Sequence, residues 1–88
     1  MWCNKAVEML GDKAMVIAME ELSELQQAIS KGIRGKLDKD NLAEEIADVM
    51  IILEWVKHKY DVTHGDIDRW LEFKRDRIIK RVQNDVLN

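Results

Sequence analysis

Proline is absent from this sequence, and glycine occurs only at Gly11, Gly32, Gly35 and Gly65. So few breakers argue against turn-rich β architectures and leave long helices as the natural outcome, the more so because Ala, Leu, Ile, Glu and Lys are abundant. A lone cysteine, Cys3, excludes an internal disulfide and suits a reducing compartment. No apolar run is long enough to span a bilayer, and the opening Met1-Trp2-Cys3-Asn4-Lys5 lacks the pattern of a signal peptide. A cytoplasmic protein without a membrane partner is therefore expected. Basic charge is also short: 14 Lys and Arg face 17 Asp and Glu, for a net charge of −3 and a pI near 5.3. That balance, with no exposed basic stripe interleaved with aromatics expected, argues against nucleic acid as a partner.

What is present is apolar content at helical spacing. The 88 residues are 47% hydrophobic, enough for one domain with a small core that is marginal on its own. A first short helix is expected from about Trp2 to Leu10, ending at Gly11. A second runs to about Lys31, with Asp12 as its N-cap and Gly32 in the position of a terminating glycine. Residues 32–39 form a loop, and a third helix starts at Asp40 or Asn41 and continues to about Tyr60. Thr63 followed by Asp66 resembles a capping box, opening a fourth helix that reaches about Asp85. The fold class is all-α, a helical hairpin or bundle of about four helices.

Two acidic clusters occupy unusual positions on these helices. At about 100° per residue, the apolar arc of the second helix comprises Met15, Ala18, Leu22, Leu25 and Ile29. Glu21 falls inside it and Glu24 lies at its rim. The third helix has its arc at Leu42, Ile46, Val49, Ile52, Leu53 and Val56, with Glu45 inside and Asp48 at the edge. Each helix thus turns an i, i+3 carboxylate pair toward its packing side. Ionised carboxylates gathered in an apolar setting repel one another. They are protonated, paired with Lys or Arg, or holding a cation. Four oxygen donors on two rigid helices suit a hard divalent ion, with Mg2+ favoured and Mn2+ a possible substitute. Glu20 and Glu44 point away from the arcs and read as solvated or as supporting the ligands from behind.

Two further stripes matter. Ala43, Ala47, Ile51 and Trp55 make the third helix apolar nearly all round, so a second subunit is expected to cover what one chain cannot, giving a homodimer or tetramer. On the fourth helix, Lys74 projects into the middle of the arc of Ile67, Trp70, Leu71, Ile78 and Val82, Arg77 and Arg81 flank it on the Trp70 side, and the three cations share one stripe. Taken alone, such a stripe is a solvated or snorkelling face; beside a metal site it reads as a clamp for phosphate oxygens. His58 and His64 read as capping or surface residues. Trp2, Trp55 and Trp70 are expected in the core, with base stacking as the alternative.

Glu20-Glu21-x-x-Glu24, an interval of about twenty residues, and Glu45-x-x-Asp48 together resemble the EExxE…ExxD signature of the MazG-like all-α nucleoside triphosphate pyrophosphohydrolases. The likeness extends through Ala18–Leu25 and Glu44–Ile51, and to the basic run Lys74-Arg75-Asp76-Arg77 with Arg81. The chain has one compact copy of the motif, as small phage-type members of that family do. The resemblance implies Mg2+-dependent hydrolysis of a nucleoside triphosphate substrate to a monophosphate and pyrophosphate. It also implies Glu21, Glu24, Glu45 and Asp48 as catalytic metal ligands, Lys74, Arg77 and Arg81 as phosphate contacts, and an oligomer whose site draws on more than one subunit. A phosphoribosyl-ATP pyrophosphohydrolase would share these features. In a silent oligomerisation or regulatory module, the carboxylates would instead pair with Lys74, Arg77 and Arg81.

Overall fold

The computed structural model describes the backbone of residues 2–87 and the side chains of residues 4–86. The side-chain readings for Trp2 and Cys3 lie outside the described residues. Every described element is helical: α1 (Trp2–Leu10), α2 (Asp12–Ile33), α3 (Lys39–Lys59) and α4 (His64–Leu87). The chain is all-α, with four helices in the expected order.

The boundaries follow from local chemistry, which corrects three expectations. Gly11, not Asp12, caps α2; its positive φ of 60° turns the chain sharply after α1, and Asp12 becomes the first helical residue. The helix then runs beyond Lys31 to Ile33. Its terminating glycine is Gly35 at φ 76°, whose amide donates to the Gly32 carbonyl at 3.2 Å while Lys36 donates to Lys31 at 2.8 Å. Gly32 stays helical, and a β-carbon there would sit 3.4 Å from Leu37 Cδ1. Third, α3 starts before Asp40, because the Asp38 carboxylate accepts from the Asn41 amide at 3.0 Å. The expected capping box is present. The Thr63 amide donates to Asp66 Oδ2 at 3.0 Å and the Asp66 amide to Thr63 Oγ1 at 3.1 Å.

Short loops make α2 and α3 an antiparallel hairpin, with α1 laid against it. Small side chains permit the close approach: Ala14, Ala18 and Ala28 of α2 are buried together with Val49 and Ile52 of α3 and Val7 of α1. Leu25, Trp55 and Val56 pack around this centre. Glu8 pairs with His58 at 3.4 Å and Asp12 with Lys59 at 3.2 Å, linking the N-terminal turns to the end of α3.

Much of the expected apolar arc is not covered. Leu22 and Ile29 on α2, and Ile46 and Leu53 on α3, remain exposed, as do Ala43, Ala47 and Ile51. Trp55 turns partly inward instead of joining that outer stripe. Among the described residues α4 packs on none of the other helices, and Trp70 is exposed, not in the core. The Cα radius of gyration is 16.4 Å, against about 12 Å for a compact chain of this length. One chain has too few helices to bury both sides of the hairpin.

Candidate functional site

Among the described residues, Glu45 is the one charged side chain in the buried set, at 8% exposure. Its place follows from register. Val49 and Ile52 must face α2, and Glu45 is one turn before Val49 on the same side. On α2 the same logic applies to Glu21, between Ala18 and Leu25, which is half-buried. The two carboxylates meet in the seam of the hairpin. Glu24 and Asp48, three residues on, fall to one flank; Glu24 is exposed and Asp48 half-buried.

Carboxylate oxygens of Glu21, Glu24 and Glu45 lie within 4.8 Å of one another, and so do those of Glu44, Glu45 and Asp48. Glu45 belongs to both groups. Glu44, read from the sequence as pointing away, therefore contributes an oxygen to the cluster, while Glu20 stays solvated outside it. Oε2 of Glu21 and Oε2 of Glu45 are sealed from solvent without a hydrogen-bond partner. None of these acids pairs with Lys or Arg among the described residues.

Burial first, then repulsion from Glu24, Asp48 and Glu45, pushes the Glu21 carboxyl above its ordinary range. The Glu45 carboxyl is raised by burial and then by Glu24 and Asp48. Side-chain contact with Asp48 adds to the rise at Glu21, and contact with Glu24 to the rise at Glu45. An all-oxygen donor set with two orphaned, sealed oxygens fits a hard divalent cation.

Within one chain the cations do not reach this cluster. Lys74, Arg77 and Arg81 gather around Ile78 on α4, which stands clear of the hairpin. Lys74 Nζ lies 5.9 Å from the centroid of the Trp70 ring, and Phe73 meets that ring edge-on. The sequence reading missed the joint between α3 and α4, where Lys57 Nζ sits 2.9 Å from Glu54 Oε1 and 3.1 Å from His64 Nδ1. The i, i+3 spacing of Glu54 and Lys57 was the available signal; the approach of His64 depends on the turn. No family profile matches the chain, and no curated protein or solved structure shows significant similarity to it.

Proposed function

We propose that this chain is a Mg2+-dependent nucleotide pyrophosphohydrolase of the MazG-like kind, converting a nucleoside triphosphate to a monophosphate and pyrophosphate. One observation carries the reading: Glu21 and Glu45 each hold a sealed, unpartnered oxygen, in a cluster where carboxylate oxygens of Glu21, Glu24 and Glu45 lie within 4.8 Å of one another. Burying two like charges without a partner is costly, and a fold that does so at motif positions has a use for them.

In this reading Glu21, Glu24, Glu45 and Asp48 hold the ion, and Glu44 supports them from the exposed side. When bound, the ion supplies neutralisation of phosphate charge and a lower pKa for an adjacent water. Lys74, Arg77 and Arg81 bind the remaining phosphate oxygens; since α4 stands off its own hairpin, they come from a second copy of the chain. Glu24, on the open flank, accepts the proton of the attacking water. The water oxygen bonds to phosphorus, the bond from the α-phosphorus to the bridging oxygen breaks, and pyrophosphate leaves.

The test is a panel of ribo- and deoxynucleoside triphosphates, with phosphoribosyl-ATP included, incubated with Mg2+ or Mn2+ and scored for pyrophosphate against orthophosphate. Metal-dependent pyrophosphate release is expected from at least one substrate. If none releases it, and the ion leaves the melting temperature unchanged, the cluster is structural.

A further inference from the structure

The charges of α4 are sorted by side. At about 100° per residue, Arg69, Lys74, Arg77, Lys80 and Arg81 share a single face of the helix, with Trp70 and Phe73 set between them. Asp68, Glu72, Asp76 and Asp85 lie about 90° or more from the middle of that face. Asp66 marks its N-terminal end, where the carboxylate accepts from the Thr63 amide at 3.0 Å. Because α4 packs on none of the other helices among the described residues, the face is open. Trp70 is 55% exposed and Phe73 57%, and Lys74, Arg77, Lys80 and Arg81 are exposed as well. Among the described residues none of those four cations pairs with an acid, whereas Arg69 reaches Asp66 at 3.9 Å. The Phe73 ring meets Trp70 edge-on at 5.9 Å, and Lys74 Nζ stands 5.9 Å from the Trp70 centroid, so the rings are braced among charges and not folded into a core.

We propose that this face is a binding strip for single-stranded nucleic acid, with its cations on backbone phosphates and unpaired bases stacked on Trp70 and Phe73. Charge and chemistry select the occupant. A row of unpaired cations with no acid among them fits a polyanion, and exposed rings within the row fit a polyanion that carries flat bases. From Arg69 to Arg81 the helix rises about 18 Å, the span of about five phosphates at stacked spacing. An anionic bilayer fits less well. A helix lying on one would bury the neighbouring arc of Ile67, Leu71, Ile78 and Val82, and Asp85 shares that arc. The net charge of −3 weighs against nucleic acid for the chain as a whole, but exposed charges are screened beyond about 8 Å at physiological ionic strength. The acidic cluster lies on the hairpin that α4 stands clear of, so the local sign decides. Strand binding needs neither the metal nor the proposed reaction. Lys74, Arg77 and Arg81 serve both, so strand and triphosphate compete for them, whereas Arg69, Phe73 and Lys80 belong to the strip alone.

The experiment is fluorescence anisotropy of a short labelled oligothymidylate titrated with the full chain, without metal or triphosphate. Binding is expected at micromolar protein in low salt, with log K falling against log salt at a slope of about −3, as for four neutralised phosphates. Trp70→Ala and Phe73→Ala should each weaken it about tenfold, and Phe73→Tyr, which keeps a flat ring, should restore it. Lys80→Ala should make the slope shallower by about 0.7, while Glu72→Ala, on the other side of the helix, should not weaken binding. The same strand annealed into a duplex should bind more weakly, because its bases are already stacked on one another. No change of anisotropy in low salt would overturn the proposal. Unchanged affinity in Trp70→Ala and Phe73→Ala would do the same, leaving a face for any polyanion, as would capture by phosphatidylserine vesicles of a chain that ignores the strand. A chain that binds the strand but releases no pyrophosphate upholds strand binding alone.

Discussion

The hairpin and α4 are built from helices of similar length, yet they are held in different ways. In α2 and α3, buried alanines and Val49 and Ile52 fix the rotation of each helix, and that rotation drives Glu21 and Glu45 into the seam. In α4, Trp70, Leu71, Ile78 and Val82 stay exposed, and what defines the helix is its N-terminus: the Thr63–Asp66 box and the Lys57–His64 contact. A helix of 24 residues is long enough to persist on local terms. The lesson is that tertiary packing, in α2 and α3, places chemistry, whereas local capping only starts a helix. In the single chain α4's cations stay clear of the acids.

Substitution at the seam should have the largest effect. Glu45→Gln is expected to reduce metal-dependent turnover by about 100-fold or more, since losing even a residue that supports a metal ligand costs about 10–100-fold, while circular dichroism stays helical. It should also change the pH profile of stability. Glu21 and Glu45 are raised above the ordinary glutamate value of 4.5, so the folded state binds these protons more tightly than the unfolded state. Their contribution is complete below that value and is lost as pH climbs through the raised values. Without metal, the melting temperature of the parent should fall from pH 5 toward neutrality, and Mg2+ should restore it most at the high end. Glu45→Gln should flatten the fall. A metal-free parent that grows more stable over that range would contradict the arrangement of charges.

The packing contrast can be tested next. Ile52→Ala should cost about 2–5 kcal/mol in chemical denaturation, as for other buried aliphatic truncations. Ile78→Ala on α4 should cost under about 0.5 kcal/mol if α4 remains solvated. If the two losses are similar, α4 is covered in the assembly and the contrast disappears in solution. The smallest effect is local. Thr63→Ala removes the oxygen that accepts from the Asp66 amide and should cost about 1 kcal/mol, read as fraying of the first turn of α4 by hydrogen exchange.

Much of the site was legible in advance because helical periodicity is a property of the chain alone. The positions of Glu21 and Glu45 inside apolar arcs follow from counting residues, and the capping box from Thr63 and Asp66. Other features were not legible. Gly32 and Gly35 offer the same freedom, and only the structure shows that Gly35 takes the positive φ while Gly32 stays helical. Glu44 joins the cluster through side-chain reach that a wheel does not describe. The arcs themselves looked like core, but a wheel shows which residues share a face and not whether anything covers it. Leu22, Ile46 and Leu53 are uncovered in the single chain.

By itself, the sequence determined four helices, their order, and the turning of two carboxylate pairs toward a shared seam, because backbone period, caps and breakers act over a few residues. Only the tertiary structure decided which oxygens are sealed without a partner, which face of the hairpin is left apolar and open, and that α4 carries its cations away from its own acids. Those outcomes depend on how much surface one small chain can cover, a quantity that belongs to the packed whole.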